Sequence, residues 1–230
     1  MEVPPEAVLV DTRPRAAYEA GHLPGARHLD LSAPRLRLRE EGELQALEAG
    51  LTELFQELGL KSPVILYDEG LTSRLCRTAF FLGLGGLEVA LWTEGWEAQA
   101  TEREEPKPQR SDTIARLRRD WLLTADEAAR HPLLLDVRSP EEHQGKVHPP
   151  CCPKGGRIPG SRNAPLELFL EPDKVLKRLG LEPGQEVGVY CHSGARSAVA
   201  FFVLRSLGVK ARNYLGSMHE WLQEGLPTEP

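Results

Sequence analysis

The chain repeats itself once, and the repeat restricts it to folds that half its length can complete. Residues 8–31 read VLVDTRPRAAYEAGHLPGARHLDL. Residues 133–168 read LLLDVRSPEEHQG, an insertion, then RIPGSRNAPLEL. The shared frame is an apolar run, Asp-x-Arg, a polar helical stretch and [Leu/Ile]-Pro-Gly-[Ala/Ser]-Arg. A second pair follows in the same order: VILYDEGLTSRLCRTAFFLGLGGLEVALWTEGWEAQ (64–99) against VGVYCHSGARSAVAFFVLRSLGVKARNYLGSMHEWLQ (187–223). The offset is 125 from Asp11 to Asp136 and 123 from Asp68 to Cys191. Two long segments at nearly one offset imply two homologous domains of about 100 residues each.

Composition marks the junction. Residues 103–119, REEPKPQRSDTIARLRR, are polar and carry two prolines. The expected division is therefore 1–102, a linker over 103–119, and 120–230. The net charge of −6 splits unevenly: −8 over 1–102, +3 over 103–119 and −1 over 120–230. An acidic chain is not expected to bind nucleic acid, and its second domain repels a small anion far less than its first. No apolar run approaches the ~18–20 residues of a membrane span. The N-terminus lacks the basic and apolar regions of a secretory signal. A cytoplasmic monomer with no membrane partner is expected. Its four cysteines should then be reactive, metal-bound or buried rather than disulfide-paired.

Each half alternates short buried strands (Val8–Val10, Val64–Tyr67, Val89–Trp92; Leu133–Val137, Val187–Tyr190, Ala211–Tyr214) with helical stretches such as 42–58, 73–83 and 196–207. This alternation predicts a mostly parallel sheet with helices on both faces. The first half has no counterpart of Asp120–Arg130 and should lack an opening strand and helix. Twelve extra residues between its Pro-Gly and Tyr67 are read as an added helix over 42–58.

The chemistry is expected at Cys191. Cys191-His192-Ser193-Gly194-Ala195-Arg196-Ser197 joins a strand ending at Tyr190 to an apolar helix, so it lies at the carboxyl edge of the sheet, where ligands bind. Gly194 permits a turn that gathers backbone N–H groups toward one point. The helix N-terminus and Arg196 add positive charge. A thiol placed there ionises easily, and the same cradle can hold a persulfide or a bound anion. Arg196 is expected to lower the thiol pKa and to grip a sulfonate or carboxylate with its guanidinium fork.

These motifs together resemble the tandem-domain rhodanese family of sulfurtransferases. The resemblance rests on Asp136-Val-Arg138, Arg157-Ile-Pro-Gly160-Ser, Tyr190-Cys191-His-Ser-Gly-Ala-Arg-Ser197 and Tyr214-Leu-Gly-Ser217-Met-His-Glu-Trp221. It implies two tandem rhodanese-like domains, an inactive first one with Asp68 in place of the cysteine, and a catalytic second one. It also implies a ping-pong transfer of a sulfane sulfur through a Cys191 persulfide, without a cofactor. The partners would be a small anionic sulfur donor, thiosulfate before 3-mercaptopyruvate, and a thiophilic acceptor such as cyanide or a thiol. Residues 192–197 would bind the donor. Some branches of the family carry a substrate-binding arginine where this chain has Glu142. Phosphatases and arsenate reductases of similar architecture are the rival enzyme reading, but they place arginine six positions after cysteine, and Arg196 is five after Cys191. A non-catalytic binding module is the third reading, suited to the first domain.

Asp136 and Arg138 recur as Asp11 and Arg13 in the half without a cysteine, so they are expected to support the scaffold. Trp96 and Trp221 also recur and read as packing residues, as does Cys76 in its apolar helix. The insertion holds His143, His148, Cys151 and Cys152 within ten residues. These four are metal-ligand candidates in the wrong spacing for a standard zinc motif. Alternatively, one of the two thiols could take sulfur from Cys191, or the segment could simply pack.

Overall fold

Runs such as VLVD, VILY and EVGVY are apolar on both faces of the strand, a pattern that is stable only when helices cover both sides of a parallel sheet. The computed structural model describes residues 3–152 and 154–230 and contains two such sheets. The first consists of β1 (Val8–Asp11), β2 (Arg27–His28), β3 (Val64–Tyr67) and β4 (Val89–Trp92) in the order β2-β1-β3-β4, all parallel. Helices α1 (Arg15–Ala20), α2 (Glu41–Glu57) and α3 (Ser73–Leu84) make its crossovers. The second repeats the plan with α4 (Ala125–Ala129), β5 (Leu134–Asp136), α5 (Pro140–His143), β6 (Arg162–Asn163), α6 (Pro172–Leu179), β7 (Glu186–Tyr190), α7 (Ala195–Ser206), β8 (Lys210–Asn213) and α8 (Ser217–Gln223). Its order is β6-β5-β7-β8, again parallel. The chain steps to one side of the first strand and then back across it. Right-handed crossovers therefore put the first connecting helix on one face and the next two on the other.

The chain forms two compact units. One holds the residues up to Pro34 together with Leu44–Arg118; the other holds Arg35–Glu43 and Arg119–Pro230. Most of the segment read as a linker is packed in the first unit. Ser111 N–H donates to Gln56 O, Arg116 N–H to Gly85 O and Arg118 N–H to Leu84 O, and Ala115 is buried. Once its backbone polar groups had partners on the fold, this polar composition did not make a free tether.

Three details differ from expectation. The two-residue strands β2 and β6 had no periodic apolar signal, because Arg27-His28 and Arg162-Asn163 are polar. Helix α2 is not an addition: α6 occupies the same place between the second and third strands of the other unit, with 8 residues against 17. The opening strand of the second unit shrinks to one bridge, Leu122 with Asn213, followed by α4 behind a Thr124–Glu127 capping box.

The register places the site. Asp136 pairs with Tyr190 and Val189 with Asn213, so the residues after β5, β7 and β8 emerge side by side at one carboxyl edge.

Candidate active site

Cys191 is the first residue beyond β7 and is buried. Gly194 caps α7 with φ at +85°, in the left-handed region. A Cβ there would come within 2.6 Å of Leu215 Cδ1 and 2.7 Å of its carbonyl oxygen, so only glycine fits the turn. That turn brings Gly194 N–H to 3.1 Å from Cys191 Sγ, with the Ser197 hydroxyl at 3.6 Å. Burial alone would push the thiol pKa up. The charge of Arg196 and hydrogen bonds from Ser197 and Ser193 outweigh it and hold the thiol below its ordinary value. The sulfur is thus stabilised as a thiolate in a site that excludes water.

Behind the loop, Ser217 holds a φ of +54°, which is unusual for a residue other than glycine. Its Oγ accepts from Cys191 N–H at 3.2 Å and donates to Tyr214 O at 2.8 Å. Met218 N–H and His219 N–H donate to the carbonyls of Cys191 and His192. The start of α8 therefore fixes the Cys191 loop from behind. Ser217 lies in the Tyr214–Trp221 motif, but nothing in linear order sets it against Cys191.

Arg196 does not present an open fork. Its Nη1 and Nη2 donate to Glu142 Oε2 and Oε1 at 2.6 and 2.9 Å. The edge formed by Nη1 and Nη2 is thus engaged by a carboxylate of the chain itself. The physical reason lies in α5, whose Ser139–Glu142 capping box sets Glu142 facing the loop. Arg196 acts on Cys191 through charge while two of its N–H groups bond Glu142. Burial opposes the Glu142 charge, but Arg196 prevails and holds that carboxyl below its usual range.

Asp136 and Arg138 form a buried pair. Asp136 accepts from Arg138 N, Nε and Nη2, from the Tyr190 hydroxyl and from His143 Nδ1, and Arg138 reaches on to Gly156 O. Arg13 makes the same N, Nε and Nη2 bonds to Asp11 and ends on Gly21 O. In both units the pair ties the end of the first strand to the loop before the second.

In the first unit, Asp68 stands at the end of β3. It accepts from Arg74 Nε and Nη2, Thr12 Oγ1, Thr72 Oγ1 and Glu69 N. The turn has no arginine five residues on. Arg74, six residues on, closes over the carboxylate instead, so the cradle is filled by the side chain that replaced the thiol. Burial works against the Asp68 charge, yet Arg74 and Thr12 hold its pKa below the usual carboxylate range.

The four ligand candidates of the insertion do not gather at one point: Cys151 and Cys152 Sγ lie 3.9 Å apart, while the two histidines bond elsewhere. His143 is committed to Asp136, and His148 is exposed near Pro149 O. Cys152 is buried in the core with Ile158, Tyr190, Met218 and Trp221, and burial pushes its thiol up to about 11. Cys151 is exposed and lies 3.4 Å from His192 Nε2. Burial first, then His219 and Arg35, press the His192 pKa down to about 4, so the ring is neutral at pH 7 and offers an anion no charge. Cys76 is buried with its thiol pushed above the ordinary range, in keeping with a core residue. Among the described residues, no helix is long and apolar enough to cross a membrane.

The profile of the Rhodanese-like domain matches residues 3–102 and again 119–224. The chain belongs to the rhodanese family of sulfurtransferases. It is 30% identical to a thiosulfate sulfurtransferase of Pseudomonas aeruginosa over 94% of this chain and 88% of that one. A thiosulfate sulfurtransferase of Azotobacter vinelandii is 29% identical with the same coverage. A crystal structure described as a probable thiosulfate sulfurtransferase is 86% identical, covers both chains fully and superposes with a TM-score of 0.97. This rhodanese thus has a tandem pair of domains, only the second of which carries the loop cysteine, and small sulfur compounds as substrates.

Proposed function

We propose that this rhodanese moves the outer sulfur of thiosulfate to a thiophilic acceptor through a persulfide on Cys191. The thiolate attacks the sulfane sulfur, the S–S bond of thiosulfate breaks, and sulfite leaves with its electron pair. The Cys191 persulfide then yields its terminal sulfur to cyanide or a thiolate, and Cys191 leaves as the thiolate. No proton has to be moved at the reacting sulfur, so the site needs no general base. The N–H of Gly194 and the hydroxyl of Ser197 already serve a sulfur anion, and the loop amides of residues 192–197 suit the terminal sulfur of the persulfide.

The observation that carries this reading is the Gly194–Cys191–Ser197 geometry beneath a guanidinium already paired with Glu142. A phosphatase loop places its arginine six positions after the cysteine, whereas Arg196 is five after Cys191, and the shorter turn suits a single sulfur atom better than a tetrahedral phosphoryl group. The first unit, with Asp68 sealed by Arg74, takes no sulfur in this scheme. A nucleic acid has no part in it, and one chain suffices for the chemistry.

The test is steady-state kinetics with thiosulfate, 3-mercaptopyruvate, p-nitrophenyl phosphate and arsenate side by side, for wild type and Cys191→Ala. Turnover of thiosulfate first, no turnover of the two oxyanions and none at all in the variant is the expected result. Donor-treated wild type should gain about 32 Da, one sulfur atom, on the peptide holding Cys191. Substantial sulfur transfer by Cys191→Ala would overturn the assignment.

A further inference from the structure

Cys151, His192 and His219 come from three separated stretches of the second unit: the Pro-rich insertion, the catalytic loop and α8. One ligand atom from each lies within 4.8 Å of the other two. The Cys151 Sγ to His192 Nε2 distance is 3.4 Å. With Zn–S near 2.3 Å and Zn–N near 2.0 Å, the edge of a tetrahedral zinc site between sulfur and nitrogen is about 3.5 Å. That pair, now in S···N hydrogen-bond contact, stands at the separation that a tetrahedral zinc site requires. His219 supplies a second observation. Its Nδ1 is shielded from solvent and has no hydrogen-bond partner in the fold, which is costly for a polar atom unless something is bound there.

The three side chains are also held in place. His219 N–H donates to His192 O at 2.9 Å, which fixes the two histidines to one another through the backbone. The rings lie 5.9 Å apart, edge to face. Cys152, buried beside Cys151 in a turn closed by its N–H to Pro149 O, anchors the segment that presents the thiol.

We propose that Cys151, His192 and His219 form a binding site for a borderline-soft divalent cation, Zn²⁺ by preference. One thiolate and two imidazoles suit zinc and exclude the oxygen-seeking Ca²⁺ and Mg²⁺. On binding, the Cys151 thiol gives its proton to solvent and its sulfur takes the metal. Three protein ligands leave the fourth position to water. The site includes His192, the residue directly after Cys191, so an occupied site would tie the catalytic loop to the Pro-rich insertion.

The test is titration of the metal-free full chain with Co²⁺, whose thiolate charge-transfer absorption reports sulfur ligation. Zn²⁺ then serves as competitor. One equivalent per chain is expected to give the absorption band, and Zn²⁺ should abolish it. The band should persist in Cys191→Ala, which shows that the catalytic thiol is not the ligand. It should vanish in Cys151→Ser, whose exposed position leaves the fold intact by circular dichroism and melting. His219→Gln should weaken Co²⁺ binding by more than the roughly 10- to 100-fold typical of losing an outer-shell partner. A band that survives Cys151→Ser, a band that requires Cys191, or no binding at all would overturn the proposal. None of these readouts depends on sulfur transfer, so the site and the catalytic reading fail or stand separately.

Discussion

Replacing Arg196 by alanine removes a cation that works directly against the burial of Cys191. It also strands Glu142, a carboxylate whose side chain is 13% exposed and which has both oxygens on Arg196. The thiolate loses an attractive charge and gains a repulsive one. Two opposite charges about 6–10 Å apart attract by roughly 1.5–3 kcal/mol at an effective dielectric constant near 20, and 1.36 kcal/mol is one tenfold step. The thiolate population below its pKa, and thiosulfate kcat/KM with it, should fall roughly 10- to 150-fold. The sign is fixed: the wild-type thiol is held low, so loss of Arg196 moves its titration to higher pH. The assay is the rate of iodoacetamide alkylation against pH, read beside kcat/KM. Arg196→Lys keeps a point charge but cannot span both oxygens of Glu142, so it should recover part of the loss. Arg196→Ala with Glu142→Gln removes both charges and should alkylate at lower pH than Arg196→Ala alone. An Arg196→Ala protein with an unchanged alkylation profile would refute the electrostatic argument and leave the thiolate to the loop amides.

Asp68→Asn should leave thiosulfate turnover within a few fold but lower stability at pH 7 by about 1.5–3 kcal/mol, since Arg74 and Thr12 lose a charged acceptor. The Asp68 pKa is depressed, so its contribution is present above the ordinary carboxylate range and disappears as pH falls through the folded value. Urea melts should therefore converge for the two proteins in acid, and a gap that stays constant with pH would count against the pairing. Gly194→Ala should cut kcat on the order of 10²–10³-fold, because a Cβ 2.6 Å from Leu215 pushes the amide off the sulfur; near-normal kinetics would show that the turn adapts. Glu220 is fully buried with Leu38 N–H on its Oε1, and burial raises its pKa, so its stabilising contribution is complete in acid and lost as pH rises through the folded value. Glu220→Gln cannot ionise and should raise Tm near pH 8 while changing little near pH 4; an equal effect at both would refute the titration.

What the sequence determined by itself was the repeat, the strands at Val64–Tyr67 and Val187–Tyr190, and the tight turn at Cys191 between strand and helix. Each is a local matter: apolar runs, a glycine where the chain must turn left-handed, and a thiol between strand and helix. Polar two-residue strands carried no such signal, and the segment over 103–119 was read by composition, although its backbone finds partners on the first unit. What only the tertiary structure decided was who stands next to whom at the sheet edge. Glu142 meets Arg196 across 54 positions, Ser217 holds Cys191 N–H across 26, and Cys151 reaches His192 across 41. Parallel strands need long crossovers, so neighbours at one carboxyl edge are always distant in the chain. The closed fork of Arg196 and the Cys151–His192–His219 cluster exist only because β5, β7 and β8 end side by side.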